Sequence, residues 1–286
     1  MNSPGRLAVV IPYGGGFGHL RDQLAALDRQ TWTEPFEVII SWNRGTEDPG
    51  LRLAGEAYST RMRVMVVNAT GAPGPSYARN VGWRSTDAEL ILFCDADDVA
   101  DPGWMKAMAE GLSQSAIVCG VLSYGLLNEE WLASLFSTGR TELPVRFRHL
   151  PYAPSCNLGL SRDLLIRLDG FDESLLCGED ADLCWRAAYE GALLVCAREA
   201  RMEYRLRSTP RALFRQSFQY SRYDIPLYRR HRDRGARWTP ADIGRDLLAA
   251  AKAVTLVPLG RSHRARAMMR CGAVLGMLRG SLSRHS

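Results

Sequence analysis

Between Arg6 and Tyr124, short apolar runs alternate with segments of helical period, an order that few folds accept. Arg6–Tyr13, Glu37–Trp42, Arg63–Val67, Leu90–Cys94 and Ala116–Tyr124 read as buried strands, each too short and too apolar for a surface helix. Helices are expected at Phe17–Gln30, with Leu20, Leu24 and Leu27 on one face, and around Leu51–Ser59. Two more follow, at Tyr77–Ser85 behind the Gly/Pro-rich loop Gly71–Ser76, and at Pro102–Ser113. This alternation predicts an α/β layer structure with a mostly parallel, Rossmann-like central sheet flanked by helices.

The later pattern is looser. Leu143–Pro154 carries three prolines and reads as a surface loop, Ser155–Leu160 as a strand, and Arg162–Leu168 as a short helix closed by Gly170. Glu179–Glu190 reads as a helix stopped by Gly191. Two strands, Leu193–Cys196 and Arg201–Leu206, are expected before one long basic helix from Pro210 towards His231. Leu247–Leu259 and Ala265–Leu282 are each shorter than a bilayer span or carry internal charge, so they read as interfacial or core-packing helices. Trp104, Trp131 and Trp185 lie on apolar helix faces and read as core.

The strand Leu90–Cys94 ends abruptly in Asp95-Ala96-Asp97-Asp98. That much like charge at the carboxyl end of a buried strand does not serve stability. In an extended chain Asp95 and Asp97 would aim the same way, an arrangement suited to a hard divalent cation such as Mg²⁺ or Mn²⁺. Asp98 and Asp101 are explained by the turn and helix start at Asp101-Pro102. A second cluster, Gly178-Glu179-Asp180-Ala181-Asp182, opens a helix after Asp169-Gly170-Phe171-Asp172-Glu173. The macrodipole accounts for one or two of these acids, and a carboxylate fixed at a helix start is a ready general base.

Charge is divided unevenly. Residues 1–200 hold 17 Lys+Arg against 26 Asp+Glu, a net of −9; residues 201–286 hold 19 against 5, a net of +14. No acid follows Asp246. A basic tail of this kind favours an anionic partner, and without a nucleic-acid reading motif, a phospholipid surface or lipid-linked phosphate is expected rather than nucleic acid. The seven cysteines form no CxxC pair and fit reduced thiols, and Arg6–Pro12 is too short an apolar stretch for a secretory signal, so a cytoplasmic location is expected.

Taken in order, several motifs carry a resemblance. They are Val9-Val10-Ile11-Pro12, Gln30-Thr31, Ser76-Tyr77-Ala78-Arg79-Asn80-Val81-Gly82, Phe93–Asp98, Asn157, Gly170–Glu173 and Gly178–Leu183. Over about residues 6–232 the chain resembles the family two inverting glycosyltransferases. The resemblance implies a GT-A fold over residues 1–232, with a nucleotide-sugar-binding half (1–125), an acceptor-binding half (126–232) and a basic helical tail (233–286). Asp95 and Asp97 match the family's DxD motif, Asp97 binding the Mn²⁺ or Mg²⁺ and Asp95 holding ribose or metal. Asp180 matches the catalytic base. Pro12, Tyr13, Asn43 and Arg79 fall on the donor side with the two aspartates, and Asn157, Glu179 and Asp182 on the acceptor side. The implied reaction moves one sugar from a nucleotide-diphospho-sugar to a hydroxyl of a sugar or lipid-linked acceptor, in surface polysaccharide or glycolipid synthesis. Residues 247–286 would then hold the enzyme peripherally on the inner face of the plasma membrane.

The chain departs from the pattern in places. Trp42-Asn43 stands where an acid usually reads the base, Glu203-Tyr204-Arg205 where many relatives have a histidine, and Gln216–Tyr220 keeps only the glutamine of the processive QxxRW motif. The last point favours transfer of one sugar at a time. A nucleotidyltransferase would want a basic residue after the first strand, and Tyr13–Phe17 has none. A non-catalytic nucleotide- or lipid-binding relative would have no use for both Asp97 and Asp180.

Overall fold

The computed structural model describes residues 5–44, 48–54, 56–137 and 143–282. Its first compact unit comprises Met1–Ser123, Tyr152–Ser174 and Glu179–Tyr204; the second comprises Tyr124–Pro151, Leu175–Gly178 and Arg205–Ser286.

The first unit is built on β1 (Leu7–Tyr13), α1 (Phe17–Asp28), β2 (Phe36–Trp42), α2 (Pro49–Leu53), β3 (Met62–Asn68), α3 (Pro75–Arg84) and β4 (Leu90–Cys94). There follow β5 (Val99–Ala100), α4 (Trp104–Leu112) and β6 (Ile117–Ser123). The eight strands of the sheet run in the order β3-β2-β1-β4-β7-β6-β8-β5, where β7 is Asn157–Ser161 and β8 is Leu194–Glu203. β3, β2, β1 and β4 are parallel, as their breaker-poor apolar runs require. β7 runs antiparallel between β4 and β6, setting Asn157 opposite Cys94. The sheet is therefore mixed, with the expected parallel half intact.

Local differences from expectation have physical reasons. The two strands expected around 193–206 are one strand, β8, whose pairing with β6 shifts register between Cys119 and Val121. The helix expected around Leu51–Ser59 is the short α2, opened by an Asp48 side chain that accepts from Gly50 N at 2.7 Å. The Asn80 side chain clasps Gly170–Glu173. Its Oδ1 accepts from Phe171 N at 2.9 Å, and its Nδ2 donates to Phe171 O and Glu173 Oε1, both at 2.8 Å. Gly170 has φ +70, and a Cβ there would run into that Oδ1.

Two further helices of this unit are α6 (Arg162–Leu168) and α7 (Glu179–Tyr189); α5 (Glu130–Phe136) belongs to the second. The second unit also holds α8 (Pro210–Arg222), α9 (Asp224–His231), α10 (Pro240–Thr255) and α11 (Arg261–Leu282). α8 and α9, expected as one helix of the acceptor-binding half, thus group with the basic tail. They break because the Pro226 ring cannot pack against the carbonyl four residues earlier, at Arg222, where α8 ends. α11 packs along α8 through Gly272, Gly276 and Gly280, spaced four apart, which face the carbonyls of Phe214, Phe218 and Arg222. No helix among the described residues is long and apolar enough to cross a membrane.

Candidate active site

The parallel strands β1, β2 and β4 bring their carboxyl ends side by side, and the sheet's order reverses between β1 and β4, where open α/β sheets form their ligand crevice. Asp95–Asp98 leaves β4 at that place. It forms a tight turn into β5 rather than an extended strand, so the alternation argument that paired Asp95 with Asp97 does not apply there. Carboxylate oxygens of Asp95 and Asp98 and the Cys156 sulfur lie within 4.8 Å of one another, the only such group of metal-capable side chains found among the described residues. Asp98 is buried and Asp97 half-buried on the same turn. Asp98 is thus more than a helix-start residue.

Two glutamines of α1 and its end fix this turn: Gln30, which stands in the Gln30-Thr31 motif, and Gln23, which the sequence reading missed. Fully buried Gln23 accepts from Ala100 N at 2.9 Å. Gln30 donates to Asp101 O at 2.7 Å and accepts from Met105 N at 2.9 Å. A signal for Gln23 was present: it interrupts the apolar stripe of Leu20, Leu24 and Leu27, and a polar side chain on a buried helix face needs partners.

Arg79 on α3 is the link between the two acidic segments. It is 3% exposed, and its guanidinium donates to Asp95 Oδ1 at 2.8 Å and to Glu179 Oε1 at 3.0 Å. The ring of Phe171, itself edge-on to Phe93, lies 5.6 Å below the guanidinium. Asp180, half-buried in the first turn of α7, accepts from Ala181 N at 2.8 Å. Burial pushes the Glu179 carboxyl up to about 7, the Asp180 charge adds to this, and Arg79 opposes it. Cys156 is raised well above the usual thiol range by burial and then by Asp95 and Asp98. The carboxylates of the turn, hard oxygen donors, fit Mg²⁺ or Mn²⁺ better than the sulfur does.

Other expected site residues are placed differently. Asn157 is fully buried: its Oδ1 accepts from Trp104 Nε1 at 2.7 Å, and its Nδ2 donates to Val121 O at 3.1 Å and Ala200 O at 3.2 Å. That saturated amide ties β6, β7 and β8 together and has no face for an acceptor. Asp182 is likewise fully buried, accepting from Arg186 Nε at 2.7 Å, while Arg186 also caps the carbonyls of Leu168 and Gly170. Both side chains are engaged within the scaffold of the first unit. Asn43 donates to Ala69 O at 2.6 Å and Ala72 O at 2.7 Å and accepts from Gly74 N at 3.0 Å. Its amide shapes the loop before α3. Half-buried Pro12 and buried Tyr13 end β1, with Tyr13 O accepting from Asn43 N at 2.8 Å.

With this geometry in view, the likenesses to known proteins fall into place. The profile of the family described as Glycosyl transferase family 2 matches residues 9–169, more than half of the chain. The chain belongs to that family. It is 27% identical over 227 residues to a pre-mycofactocin glycosyltransferase of Mycobacterium tuberculosis, covering 73% of this chain and 48% of that protein. To the O-antigen biosynthesis protein RfbC of Myxococcus xanthus it is 25% identical over 235 residues, 72% of this chain and 18% of the other. The chain spans half or less of the length of these curated relatives. Among solved structures, the mannosyltransferase PcManGT of Pyrobaculum calidifontis, in complex with GDP-Man and Mn²⁺, superposes with a TM-score of 0.63 at 15% identity, covering 99% of this chain and 89% of that one. TarS 1-349 of S. aureus with UDP-GlcNAc gives 0.55 at 18% identity, covering 96% and 90%. The fold is the mixed α/β GT-A type.

Proposed function

We propose that this glycosyltransferase uses a nucleotide-diphospho-sugar and a divalent cation to transfer one sugar, with inversion, to a hydroxyl of a sugar or lipid-linked acceptor. The observation that carries the reading is the Arg79 bridge. One buried guanidinium holds Asp95 of the β4 turn and Glu179 of the α7 start, so leaving-group and acceptor functions meet at one end of the sheet. Solved structures of the same fold carry GDP-Man with Mn²⁺ and UDP-GlcNAc, which supports a nucleotide-sugar donor.

In this reading Asp97 and Asp95, with Asp98 beside them, hold the Mn²⁺ or Mg²⁺, which when bound offsets the negative charge of the departing nucleoside diphosphate. Asp180 takes the proton of the acceptor hydroxyl. The oxygen then bonds to the anomeric carbon as the bond to the diphosphate oxygen breaks on the opposite face, which inverts the configuration without a covalent enzyme intermediate. Arg79 fixes Asp95 and Glu179, and Glu179 in turn neighbours the base. Trp42, half-buried with its Nε1 hydrogen-bonded to nothing among the described residues, offers a stacking face at the end of β2 for the nucleobase. The setting is the inner face of the plasma membrane, in surface polysaccharide or glycolipid synthesis. The acid-free stretch after Asp246 and the exposed Leu248, Leu259 and Leu282 support contact with an anionic surface.

Asp180→Asn tests the central role. Transfer is expected to fall by about 10²–10⁴-fold while nucleotide-sugar affinity holds, measured by product formation and calorimetry on one preparation. Turnover within a few-fold of the original would remove Asp180 as the base. Asp97→Ala is expected to abolish the Mn²⁺ dependence of nucleotide binding.

A further inference from the structure

The second unit contains a cavity of about 400 Å³ that the transfer chemistry does not use. Its wall is made by the turn around Phe147, the junction of α8 and α9, the start of α10, and one side of α11. Five arginines line it against three aspartates. The acids are largely spoken for. Asp224 sits 2.6 Å from Arg146, and Asp242 accepts from Arg148 at 2.6 Å, Arg245 at 3.2 Å and the Thr239 cap. Asp246 is exposed at the rim. That leaves Arg237 and Arg270, both lining the cavity, with no carboxylate within ion-pair distance among the described residues.

The turn that carries two of these arginines is strained. Phe147 and Arg148 are successive residues with side chains, at φ 53 and 47, a left-handed pair that is costly without glycine. The surroundings over-determine it. Phe147 O accepts from Arg237 N at 2.7 Å, and its ring packs 5.1 Å from Trp238 and 5.7 Å from Tyr228. The result sets Arg146 against Asp224 of α9 and Arg148 against Asp242 of α10. The lining also includes apolar side chains, Ala273, Val274 and Met277 of α11 and the exposed Val145.

From this arrangement we infer that the cavity is a binding site for a phosphate or diphosphate ester, with Arg237 and Arg270 gripping the phosphoryl oxygens and the Val145–Val274–Met277 wall receiving the group it esterifies. Guanidinium forks match phosphate oxygens, and two unpaired forks beside an apolar wall suit a head-and-body ligand better than a bare ion. The ester could be borne on a hydrocarbon chain, or the anion could be free phosphate. Binding here requires nothing of the sugar-transfer reading.

The test uses the full chain with EDTA present, so that the acidic turn holds no cation. Calorimetric titrations with inorganic pyrophosphate, dodecyl phosphate below its micelle concentration and neutral dodecyl maltoside separate the sources. Dodecyl phosphate is expected to bind at micromolar to low millimolar concentration, and Arg237→Ala with Arg270→Ala to weaken it at least tenfold while the Mn²⁺-dependent nucleotide affinity, titrated separately without EDTA, stays unchanged. Both arginines are exposed, and Arg237→Glu alone provides a second variant, expected to abolish binding with an unaltered melting temperature. Tenfold tighter binding of dodecyl phosphate than of pyrophosphate assigns a lipid-borne ester; equal binding assigns free phosphate. Equal affinity of dodecyl maltoside, no binding by the original protein at millimolar ligand, or unchanged affinity in both variants would overturn the site.

Discussion

Arg79 in the first unit and the arginines of α11 in the second put the same side chain to opposite uses. Arg79 is buried, bound to two carboxylates and laid over an aromatic ring. Arg264, Arg266 and Arg270 stand on helix surfaces, exposed to solvent. A buried ion network is a poor source of stability but a rigid one, because removing any member strands the others without solvent. Surface arginines contribute little to the fold and leave their charge for a partner. The first unit thus invests its charge in geometry, and the second in attraction. The helices of the second unit are held instead by backbone approach, α11 on α8, where glycine is required.

The largest expected effect tests the buried side of that contrast. Arg79→Ala should destabilise the fold by about 3–5 kcal/mol, since it leaves Asp95 and buried Glu179 facing each other without a counter-charge. Urea unfolding measures it. A loss below about 1 kcal/mol, the range of surface pairs, would mean that Arg79 is no more embedded than its counterparts on α11 and would collapse the comparison.

A smaller effect lies where the second unit does bury a charge. Burial pushes Asp224 up from 3.8 to about 6 even with Arg146 at 2.6 Å. A carboxyl that holds its proton more tightly folded than unfolded contributes stability fully below the unfolded value of 3.8, and loses it as pH rises through about 6. The loss is on the order of 2–3 kcal/mol. Compared with Asp224→Asn, the original protein should be relatively most stable near pH 4 and lose ground by pH 7, read as the difference between their melting temperatures. A difference that stays constant with pH would show Asp224 ionised throughout and make this pair behave like Arg79 with its acids.

The contrast also marks what the sequence could reveal. The strands and helices of the parallel half followed from apolar runs and helical spacing, both local properties, and the two acidic segments were equally plain in the sequence. What joins the segments is not local: Arg79 reaches Asp95 and Glu179 across 16 and 100 residues. The amide of Asn157 was equally hidden, because Trp104 and the carbonyls of Val121 and Ala200 come from three other stretches. Asp182 was legible, since Arg186 stands four residues on along α7, the spacing of a helical ion pair. That Asp98 also lies beside Asp95 turned on whether the chain beyond Cys94 stayed extended, which backbone periodicity cannot decide for a four-residue turn. The glycine spacing of α11 was in plain view as well, but a repeat of small residues says that something comes close without saying what.

Two glycine substitutions sharpen that last point by having opposite signs. Gly244 lies inside α10, and a Cβ there would meet nothing within 4 Å. Gly244→Ala should therefore stabilise by about 0.5–1 kcal/mol, the ordinary gain of alanine over glycine in a helix interior. Gly276 also lies inside a helix and carries the same intrinsic preference, but a Cβ there would collide with the Phe218 carbonyl of α8, which is backbone and cannot swing aside. Gly276→Ala should destabilise by about 1–3 kcal/mol as α11 is pushed off α8. Both are measured by denaturant midpoint on the full chain, with Gly272→Ala and Gly280→Ala expected to follow Gly276 because they face the carbonyls of Phe214 and Arg222 in the same way. If Gly276→Ala stabilises like Gly244→Ala, α11 does not approach α8 closely. The second unit would then be held by the same side-chain interdigitation as the first, and its surface arginines would be the only real difference between the two regions.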